Sequence, residues 1–196
     1  MKSNFYETWI AESPKPIGLA DYYEFLKRNI DELLALGIKP ISNRNLRKID
    51  LDSMIYYWFE VNGDIQLAIE LEKKPQGLVV HLLGKKDKGI GPYADELYDA
   101  ILKDSKKGIR LFSDDQVPDS GLLVWKRLLR SGHKILAYDG YNYRILHTEN
   151  ELIDNYNDTA KNIRFVLTES STLWETKNFF DIQQIRDLAG YNDIKK

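Results

Sequence analysis

Residues 54–84 read MIYYWFEVNGDIQLAIELEKKPQGLVVHLLG, and this stretch decides the fold. Met54–Val61 is dense in aromatic and β-branched residues, and the Asn62-Gly63 pair that follows is among the strongest signals for a hairpin turn. Residues 65–72 alternate apolar and polar side chains, which predicts a strand with one buried face and one wet face. A second turn, PQG, precedes a third short strand over residues 78–83. The stretch therefore predicts an antiparallel meander of three strands.

Helices are predicted on both sides of this meander. Apolar residues recur at helical spacing over residues 19–34, and Gly37 is placed to end that helix. A second helix is predicted over residues 92–103, with Pro92 at its first position. A third begins with Asp119 or Ser120 as its cap and ends near Gly132. Because helices and strands are mixed rather than regularly alternating, the predicted class is α+β.

The remaining segments complete a layout in three parts. A short strand is predicted at 109–112, a hairpin at 133–138 and 141–146 across Asp139-Gly140, and a last strand at 163–167. Lys39 to Leu51 is predicted as a loop or a short strand, Thr148 to Asn162 as a surface loop with one helical turn, and Leu173 to Leu188 as a final helix. We expect an N-terminal segment and helix (1–50), a central domain (51–147) and a C-terminal appendage (148–196).

Composition excludes several classes of protein. The chain has 196 residues, a formal net charge of -2 and no cysteine, so disulfides, thiolate metal sites and cysteine nucleophiles are ruled out. The balanced charge argues against nucleic-acid binding, and the short basic clusters around Arg44 and Lys85 do not change that. No signal peptide and no apolar run long enough to span a bilayer is found, so we expect a cytoplasmic protein. His133 and His147 show no metal-ligand spacing with His81, and no metal site is predicted.

One loop carries the residue types of a ligand site. Residues 85–92 read KKDKGIGP and lie between a predicted strand and a predicted helix. Glycines let a backbone approach a ligand closely, and a helix that follows points free N–H groups back into the loop. With three lysines, this composition suits a phosphate or pyrophosphate. A basic solvated turn, whose glycines merely permit a tight connection, explains the same residues.

The stretch 54–146 resembles the GNAT superfamily of acyl-CoA-dependent N-acetyltransferases. The family signature is R/Q-x-x-G-x-G/A between the fourth strand and the third helix, and KDKGIG at residues 86–91 occupies that frame. The order of elements is also similar. The residues at Leu97-Tyr98, Ser113-Asp114 and 124–128 are similar to those of divergent GNAT proteins encoded by bacteriophages. The resemblance implies a GNAT-like, mainly antiparallel sheet flanked by helices, with helical extensions at both ends.

The resemblance also implies which residues hold acetyl-CoA or another acyl-CoA. In the family the fourth and fifth strands splay apart at a bulge, and the pantetheine arm of the cofactor pairs with backbone groups in the gap. Here that backbone is Val80 to Leu83, including Leu82. The pyrophosphate would rest on the amides of Lys88, Gly89, Ile90 and Gly91, with Lys86 supplying charge in place of the family's Arg or Gln.

Four residues are candidates for catalysis of direct acyl transfer to an amine. His81 has a side chain whose usual pKa suits a general base, and Glu70 is the alternative base. Asp114 ends the predicted fifth strand, and Tyr138 is a source of the hydroxyl acid. Each has a structural alternative: a histidine satisfied within the sheet, a solvated sheet face, a loop cap and core packing, respectively.

Departures from the family pattern support a second hypothesis. Trp125 stands where the family often has a tyrosine acid, and an indole N–H cannot protonate a thiolate. Pro92 lacks the amide hydrogen of a possible phosphate donor. The alternative function is a binding or inhibitory module without turnover, for example a phage protein that engages a host or virion component. Its partner surface would be the aromatic residues near the chain ends, which are Phe5, Tyr6, Trp9, Trp174, Phe179 and Phe180.

Overall fold

The computed structural model describes residues 19–87, 90–105, 108–114, 117–158 and 163–168. Lys88, Gly89, the terminal aromatic residues and the helix predicted at 173–188 lie outside these ranges. Four helices are described: α1 (Leu19–Ala35), α2 (Ala94–Asp104), α3 (Asp119–Arg130) and α4 (Glu149–Asn157). None of these helices is long and apolar enough to cross a membrane.

The strands of the described segments form one sheet. They are β1 (Ile41–Asn43), β2 (Leu46–Asp50), β3 (Met54–Val61), β4 (Asp64–Lys74), β5 (Gly77–Lys85), β6 (Arg110–Phe112), β7 (Ile135–Tyr138), β8 (Tyr143–Leu146) and β9 (Arg164–Thr168). Their order across the sheet is β1-β2-β3-β4-β5-β6-β9-β7-β8. All neighbours are antiparallel except β5 and β6, which are parallel. The predicted α+β class with a mainly antiparallel sheet is therefore confirmed.

The predicted meander is present and extends by one hairpin. β3, β4 and β5 occupy the predicted positions, and Asn62 and Gly63 form the first turn with positive φ angles of 54° and 78°. The segment before them, predicted as a loop or short strand, is the hairpin β1–β2. Its apolar pattern is sparse because Arg47 and Lys48 face ionic partners, Glu60 and Asp104, rather than the core.

Three helix predictions need correction in detail. Pro92 lies before α2, which begins at Ala94 with Tyr93 as its N-cap. The N-cap of α3 is Pro118 rather than Asp119 or Ser120, and the Asp119 carboxylate accepts a hydrogen bond from the Tyr156 hydroxyl. The predicted surface loop after residue 148 contains α4, a two-turn helix.

A capping box at the N-terminus of α4 explains why this segment is helical. The Thr148 hydroxyl accepts from the Glu151 amide, and the Glu151 carboxylate accepts from the Thr148 amide, which is a capping box. The strand that follows, β9, was expected within the C-terminal appendage, but it lies inside the sheet between β6 and β7. Sequence order alone does not indicate where a strand is inserted.

The sheet separates two layers of helices. On one face, the largest core contains α2, α3 and α4 side chains such as Leu97, Trp125 and Leu152, packed with strand residues including Leu71 and Leu111. On the other face, Leu26 and Ile30 of α1 pack with strand residues Ile49 and Trp58. The edge of β5 between these layers is where the candidate site lies.

Candidate functional site

The free edge of β5 is the main feature of the site. β5 pairs with β6 through only two residue pairs, Leu78 with Leu111 and Val79 with Phe112. β6 ends at Phe112, and no strand of the described segments pairs with residues 80–85 on that side. Backbone N–H and C=O groups that point from a strand toward such a gap are available to pair with an extended ligand.

A β-bulge lies at the point where the two strands part. In the register of β4 with β5, Glu70 is opposite Leu82 and Leu71 is opposite Val80, so His81 is the extra residue. A bulge bends its strand and re-aims the side chain at the irregular position. Here it directs the His81 imidazole to Glu70.

His81 and Glu70 form a coupled pair. His81 Nδ1 lies 2.6 Å from Glu70 Oε1, and Glu70 is 0% exposed whereas the His81 side chain is 36% exposed. The hydrogen bond to Glu70 raises the pKa of His81, and the charges of Glu70, Asp114 and Glu72 raise it further against the opposing effect of burial. When Nδ1–H donates to an ionised Glu70, Nε2 is the ring nitrogen that can accept a proton.

A cavity adjoins the free edge and the His81 ring. Its volume of about 90 Å³ exceeds several-fold the ~10–15 Å³ that one water molecule requires, so it accommodates a small organic group. The lining comes from four consecutive residues of β5, from the helices α1, α2 and α3, and from the segment between β6 and α3. These residues are Val80, His81, Leu82, Leu83, Tyr22, Tyr98, Ser113, Asp114, Val117, Pro118, Gly121 and Trp125. The cavity is mostly apolar, with polar groups near His81.

Most of the site residues that were predicted on the strands lie together around the cavity. Val80, Leu82 and Leu83 line the cavity, as do His81 and Asp114. Glu70 lies behind His81 with its Oε2 atom buried and without a hydrogen-bond partner among the described residues. Glu70 is therefore placed to orient the imidazole rather than to meet a ligand directly.

Tyr138 is not brought to this cavity. Its hydroxyl donates to the carbonyl oxygen of Gly140 at 2.7 Å, and its ring stacks on Tyr143 with centroids 4.5 Å apart. It packs with Val79 and Phe112 in a separate apolar cluster. The expectation that Tyr138 supplies the hydroxyl acid is therefore not supported by its position, because alternation along β7 turns it away from the cleft.

The glycine loop is only partly described. The Lys86 ammonium is paired with the Asp64 carboxylate at the start of β4, so its charge is already compensated. Ile90 is 67% exposed, and Gly91 precedes Pro92 through a cis peptide bond. Beside this loop, Lys85 and Arg127 lie near the ring of Tyr93.

Tyr98 and Tyr22 are cavity residues that the sequence analysis did not select. Tyr98 meets Trp125 edge-on, with ring centroids 5.8 Å apart, and burial raises the pKa of its hydroxyl, which therefore stays protonated. The hydroxyl makes no hydrogen bond to any described residue. Tyr98 lies on the apolar face of the predicted helix, where a tyrosine has the pattern of a core residue, and only the position of the cavity distinguishes it.

The arrangement combines an open strand edge, a histidine held by a buried carboxylate and a protonated phenol. Among the described residues, no group of three or more histidine or acidic side chains is placed to hold a metal ion. Searches of protein-family models, of curated proteins and of solved structures gave no match. A functional conclusion must therefore rest on the chemistry of this cleft.

Proposed function

We propose that this protein is an N-acyltransferase that uses acetyl-CoA or another acyl-CoA and transfers the acyl group directly to an amine. The observation that carries the proposal is the unpaired edge of β5, which begins beside a cavity at the bulged His81. An extended amide-containing arm can pair with such an edge as an added strand does. The resemblance of residues 54–146 to the GNAT superfamily supports the same activity.

The cavity residues fit the thioester end of such a donor. Val80 and Leu83 present backbone along the gap, and the apolar surface of Trp125 and Val117 faces it. When bound, the donor supplies an electrophilic thioester carbonyl and a thiolate leaving group. A backbone N–H on the free edge is the group suited to polarise that carbonyl.

His81 and Tyr98 divide the proton transfers between them. His81 Nε2 takes a proton from the attacking amine as the new C–N bond forms, and Glu70 stabilises the resulting imidazolium through Nδ1–H. The Tyr98 hydroxyl is the proton donor for the sulfur as the C–S bond breaks, and it replaces the hydroxyl that Trp125 lacks. The amine gives one proton to His81, and the thiol takes one from Tyr98. The His81 imidazolium then loses its proton to solvent and the Tyr98 phenolate regains one, so both side chains return to their starting state and no further reactant is needed.

The test is calorimetric titration with acetyl-CoA, followed by thiol release in the presence of primary amines such as spermidine and a lysine-containing peptide. We expect saturable binding and amine-dependent thiol release. His81→Gln should reduce kcat by about 10²-fold or more, as loss of a general base does, with acetyl-CoA affinity unchanged. His147→Gln is the matched control, because His147 is exposed and lies outside the cavity. Absence of binding at millimolar acetyl-CoA would refute the proposal.

The second candidate is a binding module that keeps the cleft but performs no turnover. It is favoured by Trp125, which is 2% exposed and packs between Tyr98 and Phe165. Trp125 therefore contributes to the hydrophobic core, and it has no hydroxyl that could act as an acid. This candidate predicts that acetyl-CoA binds without thiol release for any amine, and that Tyr98→Phe and His81→Gln leave binding intact. Thiol release that depends on His81 would exclude it.

A further inference from the structure

A row of apolar side chains crosses five strands on one face of the sheet. Each member is the register partner of the next on the neighbouring strand, in the strand order β5, β6, β9, β7 and β8. Because register partners point to the same face, the side chains form one continuous strip, which we call the apolar row. Its members are Val79, Phe112, Val166, Leu136 and Ile145.

The apolar row is buried, although the described helices pack elsewhere. Its first four members are at most 4% exposed, and Phe112 and Val166 are 0% exposed. Tyr138 and Tyr143 pack beside the row, but α1 to α4 contribute no side chain to this cluster. α2, α3 and α4 lie on the opposite face, and α1 packs with β2, β3 and β4. The row therefore requires a covering layer that the described helices do not supply.

The chain beyond β9 starts from this face. β9 carries the central member of the row and ends at Thr168, and 28 residues follow it. Phe179, Ile182 and Ile185 recur every three residues, which gives the helix predicted at 173–188 one apolar side. Such a helix would be about 24 Å long, against about 19 Å for the width of five neighbouring strands. The segment is long enough to cover the row.

The charges favour the same segment. Arg110 and Arg164 are each two residues from the row member of their own strand, so both lie on its face. Arg110 is 8% exposed and donates to the Tyr143 hydroxyl at 3.0 Å, and a guanidinium so buried needs anionic or polar partners. Residues 169–188 carry four acidic and two basic side chains, whereas residues 1–18 carry two of each. The C-terminal segment is therefore the better electrostatic match.

We propose that residues 169–196 dock on the apolar row and complete this face of the sheet beside α1. The proposal does not depend on the acyltransferase activity. His81 lies along β5 between Val79 of the row and Leu82, which packs with the α1 core. Glu70, which bonds the His81 ring, alternates along β4 with side chains of the opposite core, so the pair lies on the face of the row. A ligand that approaches His81 across this face passes between α1 and the docked segment.

The experiment follows hydrogen exchange of the full chain by mass spectrometry. We expect amides within 173–188 to exchange about tenfold or more slowly than in an isolated peptide of the same sequence. Ile182→Asp should abolish this protection, because it places a charge against the apolar row. Gln184→Asp adds the same charge on the other side of the predicted helix, and as the matched control it should keep the protection.

A substitution on the sheet gives the reciprocal test. Ile145 is the partly buried end of the row on β8, and Ile145→Asp should also release residues 173–188. Peptides from β3 to β5 should remain protected, which shows that the sheet is folded. Leu123→Asp is the matched control, because Leu123 is a 60% exposed apolar residue of α3, and it should leave residues 173–188 protected.

Three results would overturn the proposal. The first is fast exchange of residues 173–188 in the wild type, or protection that Ile182→Asp and Ile145→Asp leave unchanged. The second is protection of residues 1–18 that is lost in Ile145→Asp, which assigns the row to the N-terminal segment. The third is protection that appears only with a doubling of the molecular mass at high concentration, which assigns it to a second copy. Acetyl-CoA binding is measured separately, so failure here leaves the acyltransferase proposal intact.

Discussion

Replacement of Glu70 by glutamine tests the central pair of the site. The Glu70 side chain is fully buried, and its bond to His81 Nδ1 is the largest cause that raises the pKa of His81. Glutamine keeps the size of the side chain and removes the charge. We therefore expect the pKa of His81 to fall in Glu70→Gln.

The size of the change follows from the geometry. A hydrogen bond to a charged group contributes about 1.5–3 kcal/mol, and one pKa unit corresponds to about 1.4 kcal/mol. Because 36% of the His81 side chain is exposed, water screens the interaction, and the lower end of that range applies. The bond therefore contributes about 1.5 kcal/mol to the protonated form of His81, and its loss in Glu70→Gln should lower the pKa of His81.

The assay is an NMR titration of the histidine ring protons. The chain has three histidines, so His133 and His147 serve as internal references in the same sample. The wild-type His81 resonance should titrate above 6.5, and that of Glu70→Gln should titrate at a lower pH than the wild type. An equal His81 pKa in both proteins would refute the coupling.

The same pair predicts the direction of a pH-dependent stability change. The pKa of His81 is raised in the folded state, so its contribution is complete below pH 6.5 and is lost as the pH rises through the folded value. The wild type should therefore lose up to about 1 kcal/mol of unfolding free energy, relative to Glu70→Gln, between pH 6 and pH 8. Urea unfolding at the two pH values measures this difference.

Three further substitutions test the packing around the cleft. Trp125→Ala should cost about 3–5 kcal/mol of unfolding free energy in urea, because the ring is buried against two other aromatic rings; a loss under 1 kcal/mol would contradict this. Gly84→Ala would place a Cβ 2.4 Å from the Tyr23 backbone nitrogen, so α1 must shift and the melting temperature should fall, whereas an unchanged value would show that α1 does not lie on this glycine. Thr148→Ala should cost about 1 kcal/mol through loss of the cap, and Thr148→Ser should restore it.

The local part of the fold is readable from the sequence. The strands of the meander were predicted because alternation and the Asn62-Gly63 turn are properties of neighbouring residues. The hairpin β1–β2 was not, because Arg47 and Lys48 find their ionic partners only in the folded chain. The insertion of β9 between β6 and β7 likewise depends on pairing between segments distant in sequence.

The site residues that lie along β5 could be predicted from the sequence, whereas their partners on other elements could not. His81 and its neighbours in β5 were selected, and the structure places them along the cavity. The role of Glu70 as a partner of His81 depends on a bulge that shifts the register, and nothing in the residue pattern marks that shift. Lys85 and Lys86 are adjacent and chemically alike, so only their partners, Tyr93 and Asp64, distinguish them.

β5 and β6 are joined by only two residue pairs, and this affects which substitutions the fold can accept. Backbone pairing contributes little to the cohesion of the sheet at this junction, and the apolar core beneath it joins Val80 on one side to Leu111 and Phe165 on the other. Selection on stability therefore acts mainly on those side chains. The main-chain groups of β5 along the gap take no part in pairing with β6, so the side chains that line the gap can be changed without loss of a backbone pair at this junction.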